Sequence, residues 1–285
     1  MRLAVQTRRA SASRTPDAPY TYLLTNLKRL FRYRALIQSL VARELKARYR
    51  GSVLGFLWSF VNPLLLLLIY NFVFTKVMPR ARGDIEPYAL FLFCALLPWT
   101  WFSSSLLDSA NVLIAGGNLI RKVLFPAEVL PIVTVFAGLV HYGLGLIVLA
   151  AFFIYYHHAP ALADLPWLPV IVFIQLVLTL GLSLFIAAMT VHFRDLRDLL
   201  GNLMTLWFFG TPIIYQLSRA PSGARWILNL NPFTHLAVAY QEVLFVPGPF
   251  TEWRRLLGVG VVSVVVLAAG YFVFDRLRDT LAEEV

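Results

Sequence analysis

The stretch HFRDLRDL, His192 to Leu199, holds the densest set of groups in the chain suited to chemistry. His192, Asp195 and Asp198 offer an imidazole and two carboxylates, the donors of a metal site or an acid–base cluster. Arg194 and Arg197 argue against both, since neighbouring guanidinium groups disfavour a bound cation. The simpler reading is a charged helical turn at a surface. His157-His158 likewise reads as a turn. Cys94, the single cysteine, has no second thiol for an intrachain disulfide and lacks the neighbours of a metal site. Gly116-Gly117-Asn118 has the glycines of a phosphate loop without the lysine that reaches the phosphates, so the chain is not expected to bind ATP by itself. Neither a GxSxG elbow nor an HExxH pair occurs. No catalytic group and no metal ligand emerge from the sequence.

The elements that carry these residues are set by hydrophobicity. Of the 285 residues, 59% are hydrophobic and 14% charged, against roughly 45–50% and about 25% in soluble domains. The apolar residues lie in long blocks, so the expected solvent is a bilayer. The net charge of +10 does not indicate nucleic acid, because the basic residues cluster at the ends of apolar spans, where anionic headgroups neutralise them. The expected fold is an all-α membrane protein. Six spans are predicted, near residues 53–77, 88–107, 129–156, 167–191, 199–217 and 256–274. Asn62 and Pro63 interrupt the first, Pro131 lies near the start of the third, and Pro212 breaks the fifth near its end. Glu128 and Asp108 sit at span ends, and His141 is the one titratable group near mid-span. Carriers coupled to protons or sodium need buried acidic or His side chains, so the energy for any transport must come from elsewhere.

Residues 1–21 are polar and basic, without the apolar core of a secretory signal. They read as a disordered cytoplasmic tail, with an organelle transit peptide as the compositional alternative. Residues 22–52 show helical spacing of apolar positions with Arg and Lys between them. This predicts an amphipathic interfacial helix, the alternative being an ordinary soluble one. With the N-terminus inside, the inner segments hold 18 Lys and Arg and the outer segments seven, so both termini are expected in the cytoplasm. The connection 218–253 is too long for a plain loop and too apolar to be one. Phe233 to Phe245 is too short to span, and Asn231-Pro232 is a turn signal. Two short re-entrant helices are expected there, followed after span six by a cytoplasmic tail, 275–285.

RELKARYRGSVLGFLWSFVNPL, from Arg43, resembles the opening of ABC-2 type permeases that export polysaccharides and polyol phosphates. The matching positions are Glu44, Lys46, Arg48, Tyr49, Ser52, Leu54, Gly55, Trp58 and Pro63. Three further stretches are similar to the family: Asn118-Leu119-Ile120 with Lys122 and Phe125-Pro126, Phe193 to Asp198, and Thr211 to Tyr215 with Trp226 and Asn231-Pro232. The resemblance covers about residues 36–274. It implies a homodimer working with two separate ABC ATPase subunits, which would hold the ATP and Mg, in the bacterial inner membrane. The implied substrate is a lipid-linked glycan such as O-antigen, capsule or teichoic acid. No cofactor is expected in this chain, and membrane lipids are its other partners.

On that resemblance, Ala110 to Phe125 becomes the candidate contact with the ATPase, through Asn118, Leu119, Arg121, Lys122 and Phe125. Asp195 and Arg197 would form a second contact. The basic half of the opening motif, Arg43, Glu44, Lys46, Arg48 and Tyr49, would brace the interfacial helix against the inner leaflet. A glycan conduit calls for aromatic faces and hydrogen-bonding groups, hence Trp58, Asn62 and Tyr70 on the first span and Trp207, Phe208, Phe209 and Tyr215 on the fifth. Asn62 is the sharpest of these, because an amide in hydrocarbon needs a partner or water. Trp99 and Trp101 read as interfacial belt residues. An ABC-2 permease for a smaller amphiphile and a polytopic membrane transferase are the competing readings.

Overall fold

A computed structural model describes residues 33–48, 50–77, 85–117, 126–193 and 195–284. Among the described residues there are nine α-helices and no strand. They are α1 (Arg34–Arg48), α2 (Trp58–Phe72), α3 (Tyr88–Ala115), α4 (Val129–Tyr155), α5 (Trp167–His192), α6 (Asp195–Phe209), α7 (Ser222–Leu230), α8 (Pro232–Leu244) and α9 (Trp253–Glu284). Four of them, α3, α4, α5 and α9, are long and apolar enough to cross a bilayer. The chain is a multi-pass membrane protein.

The helix bounds depart from the predicted spans where local chemistry intervenes. The segment predicted as the first span is a composite: a 3-10 turn at Gly55–Leu57, then α2, then a π turn at Val73–Val77. The second runs on to Ala115, eight residues past Leu107, because Ser103 to Asn111 remain helix-compatible outside the most apolar stretch. The fifth is corrected most: α6 begins at Asp195, whose carboxylate and that of Asp198 occupy the first turn, and it stops at Phe209 rather than reaching Leu217. Gly210, Thr211 and Pro212 follow, and the Thr211 hydroxyl donates back to the Trp207 carbonyl at 2.8 Å. The sixth is longer than predicted at both ends. Two short helices do divide at Asn231, as α7 and α8.

α3 is the hub. Every residue from Tyr88 to Trp99 is buried, and α3 packs against α4, α5, α8, α6 and α2. The most extensive pairing elsewhere is α5 with α9. There Gly181 and Gly270 let two backbones touch: a Cβ added at Gly181 would lie 2.6 Å from the Leu267 Cα. Close approach through small residues is how helices gain dispersion contacts in lipid, where no hydrophobic force drives them together. The other face of α9 exposes Leu257, Val261, Val264, Val265 and Phe272. α8 is buried against α3, α5 and α9.

α1 shows where its apolar stripe goes. Leu40 is buried on Val129 and Val133 of α4, flanked by Tyr33, Leu36, Ile37 and Val41. The helix thus docks on the protein, with Arg43, Glu44, Lys46 and Arg48 exposed on its remaining surface. The expected helical residues before Tyr33, and Tyr49, lie outside the described residues.

Candidate functional site

Pro63 and Pro98 lie inside α2 and α3. Each lacks the N–H that would bond four residues back, so each helix presents a locally freed carbonyl. Beside Pro63, α2, α3 and α4 part to form a cavity of about 190 Å³. Trp58, Ser59, Asn62, Pro63 and Leu66 line it from α2, Phe93, Leu96, Leu97, Thr100, Trp101 and Ser104 from α3, and Gly138, His141 and Tyr142 from α4. Arg48, at the end of α1, closes one end. Its Nη2 donates to Asp108 Oδ2 at 2.7 Å, with the two side chains 40% and 47% exposed. His141 is within electrostatic reach of both. Trp58 Nε1 donates to Ser52 Oγ at 3.0 Å, which fixes the ring where the chain turns into α2. The Thr100 and Ser104 hydroxyls donate back to the Leu97 and Trp101 carbonyls of their own helix. The cavity is polar at the Arg48 end and apolar towards Leu66, Leu96 and Phe93.

Two of the seven predicted channel residues, Trp58 and Asn62, share this cavity. Tyr70 lies elsewhere, stacked on Phe74 with centroids 6.3 Å apart, and Phe74 in turn meets Tyr88 at 4.7 Å. Trp207 and Phe208 join a separate aromatic cluster around Trp99, Phe102 and Phe233. Phe209 is exposed on α6, and the Tyr215 hydroxyl donates to its carbonyl at 3.2 Å. Trp99 and Trp101 are not belt residues. They are 5% and 2% exposed, and Trp101 Nε1 donates to the Val135 carbonyl at 3.1 Å. Indole rings in this composition match a belt as well as a core, and only packing separates the two.

Asn231 organises the second cluster. Its Oδ1 accepts from Trp207 Nε1 at 2.8 Å and from the Phe233 N–H at 2.9 Å, capping α8. Its Nδ2 donates to the Gly210 carbonyl at 3.1 Å and to Thr211 Oγ1 at 2.9 Å. The end of α6, the turn after it and the start of α8 therefore meet on one amide. The sequence marked Asn231-Pro232 as a turn and missed this joint. It also missed Gln175, whose Nε2 donates to the Pro98 carbonyl at 2.8 Å. A buried amide beside a proline on another span was the available signal. Gln241 does the same for the Pro212 carbonyl at 3.1 Å.

Of the predicted ATPase contacts, Asn118, Leu119, Arg121, Lys122 and Phe125 lie outside the described residues. Asp195 and Arg197 are exposed at the start of α6, at the end where α5 finishes in His192. Among the described residues no group of three His, Cys, Asp or Glu side chains is placed to hold a metal. A second cavity, of about 390 Å³, lies between the 216–218 turn, α7, α8 and the start of α9. Arg225, Gln241, Glu242, Glu252 and Arg255 line it. Glu242 there accepts the N–H groups of Thr251 and Glu252, each at 3.2 Å, which ties the entry of α9 to α8.

The family described as ABC-2 type transporter matches residues 35–245. An O-antigen export system permease protein RfbA of Myxococcus xanthus is 41% identical over 261 residues, 91% of this chain and 98% of that protein. A protein of the same name from Klebsiella pneumoniae is 33% identical over 248 residues, covering 87% and 94%. The polysialic acid transport protein KpsM of Escherichia coli is 25% identical over 253 residues, covering 86% and 94%. With that family matching residues 35–245 and an identity of 41% extending over 91% of the chain, this protein belongs to the ABC-2 type transporter membrane family.

Proposed function

We propose that this chain is the membrane permease subunit of an ATP-driven exporter that moves a lipid-linked polysaccharide across the bacterial inner membrane. The observation that carries the reading is the 41% identity to an O-antigen export permease across 98% of that protein's length. Two copies of the chain would work with two separate ABC ATPase subunits. The chain lacks a GxxxxGK[ST] phosphate loop, which fits hydrolysis on another subunit. ATP and Mg would bind there and supply the energy, while this chain forms the path and transmits movement to it.

The six-span topology with both termini inside belongs to this reading. The four long helices would be joined as crossing elements by α2 with its flanking turns and by α6. α2 exposes Asn62, Leu65, Ile69 and Phe72, and α6 exposes Leu199, Leu203, Leu206 and Phe209. These two stripes suit the second copy, with the glycan passing between protomers. α7 and α8 would dip into the outer leaflet and return. Asp195, Arg197 and the segment 118–125 would meet the ATPase.

The test is a deletion of the gene complemented by the wild-type chain. The deletion should remove polysaccharide from the cell surface and leave lipid-linked polymer inside, detected by immunoblotting intact and lysed cells. Restored export should require the partner ATPase with an intact phosphate loop. Unchanged surface polysaccharide together with loss of efflux of a drug or lipid would favour the permease for a smaller amphiphile.

A further inference from the structure

The second cavity, of about 390 Å³, has the size of a small-molecule site, roughly 300–1,000 Å³. Its lining comes from Phe91 of α3, the 216–218 turn, α7, α8 and the start of α9, and none of it from α2 or α6. Its charges balance, with Arg225 and Arg255 against Glu242 and Glu252. Part of the polar set builds the walls. Arg225 Nε and Nη2 donate to the Ala220 and Ser218 carbonyls. Arg255 Nη1 donates to both Glu252 oxygens, at 2.7 and 3.0 Å. Glu242 accepts the Thr251 hydroxyl at 2.7 Å besides the two N–H groups of that loop. Gln241 Nε2 donates to the Pro212 and Ile213 carbonyls.

What the walls leave over decides the ligand. A guanidinium has five N–H donors, so three remain on Arg225. Gln241 is 4% exposed, and among the described residues nothing donates to its Oε1. His235 Nε2 meets the Asn229 carbonyl at 2.9 Å, but the Asn229 side-chain amide, on the exposed rim, has no partner among the described residues. Phe91, 1% exposed, and Val238 add an apolar wall. A ligand matching this set donates to Gln241, accepts from Arg225 and Asn229, carries no net charge and offers a C–H face. Hydroxyls on adjacent carbons of a ring donate and accept at once.

We infer that this cavity holds one uncharged sugar residue of a glycan, with a hydroxyl donating to Gln241 Oε1, neighbouring hydroxyls accepting from Arg225 and Asn229, and the C–H face of the ring on Phe91 and Val238. An acidic sugar would bring its carboxylate to Glu242 and Glu252. An amino sugar would bring its ammonium to the two guanidinium groups. As a station for the exported polymer the site rests on the polysaccharide reading. The binding itself rests on the chemistry of the cavity.

The test is saturation-transfer NMR of the full chain in phosphatidylcholine nanodiscs, which are free of sugar detergents, with methyl glucoside, galactoside and mannoside against glucuronate and glucosamine. At least one neutral hexoside should bind about fivefold better than either charged sugar, the factor for one unfavourable charge contact in water. Asn229→Ala should weaken it about threefold to tenfold, the worth of one hydrogen bond. Val238→Trp fills the cavity and should abolish binding. Trp226→Ala, at a ring 62% exposed on α7 and outside the cavity, should bind as the wild type does. No binding by any of the three neutral hexosides would overturn the inference, as would tighter binding of a charged sugar. Undiminished binding by both Asn229→Ala and Val238→Trp would do the same, and so would loss of binding in Trp226→Ala alone, which would place the sugar on the open face of α7. Export lost on gene deletion, with no sugar bound by the purified chain, removes this site and keeps the polysaccharide reading. Sugar bound by a chain whose deletion leaves surface polysaccharide unchanged keeps the site and removes that reading.

Discussion

Asn62 and Asn231 show how one amide acquires different work from its surroundings. Asn62 is exposed on α2 at the cavity rim, on a helix whose other exposed residues include Leu65, Ile69 and Phe72. An amide there is costly in lipid without a partner, and a hydroxyl-bearing substrate or water supplies one. Asn62→Leu should therefore leave subunit assembly intact and lower export; surface polysaccharide at the wild-type level would remove Asn62 from the path. Asn231 has four hydrogen bonds, all internal. Asn231→Leu would orphan Trp207 Nε1 and remove the cap of α8, costing about 2–3 kcal/mol. Thermal unfolding in detergent should show the loss, with an altered Trp emission. Both asparagines stand out in the sequence as polar residues among apolar ones. Their opposite roles do not, because a side chain's partners come from other segments.

Among the elements, the α5–α9 pair carries the tightest backbone contact. A Cβ at Gly270 would collide with the backbone of Gly181, which has no flexible side chain to yield. Gly270→Val should cost at least about 3 kcal/mol, the upper range for overpacking a close contact, and should reduce the folded yield measured by size-exclusion chromatography. Gly143, which meets nothing, is the control: Gly143→Ala should fold as the wild type does. Long hydrophobic runs made α3, α4, α5 and α9 legible in advance. The early end of α6 was not, although Gly210 and Pro212 mark it, because the apolar run continues past the break through Ile213 and Ile214. α1 was legible as an amphipathic helix. Its landing place on Val129 and Val133 was not.

At the scale of the whole molecule, the exposed stripes of α2 and α6 predict the self-association surface. With Cys94 replaced by Ala, single cysteines at Leu65 and Phe209, 45% and 59% exposed, should cross-link two copies in membranes. A cysteine at Phe272 on α9 should not. Cross-linking at Phe272 alone would move the partner to the other side of the bundle. The native Cys94, 1% exposed in α3, should resist maleimide until the chain is unfolded, which makes it an internal gauge of integrity.

The amino-acid sequence by itself determined that the chain is a helical membrane protein, which segments are apolar, and, through four ordered motifs, the family to which it belongs. The tertiary structure decided that α3 lies at the centre and α9 at the edge. It also placed Trp99 and Trp101 inside, joined Arg48 to Asp108 across 60 positions of chain, and opened a cavity beside Pro63. The reason is physical. Hydropathy reports the cost of leaving water, and lipid and protein interior are alike in that respect. Which apolar face meets lipid and which meets another helix is set by shape, small residues and the few polar groups that must find one another.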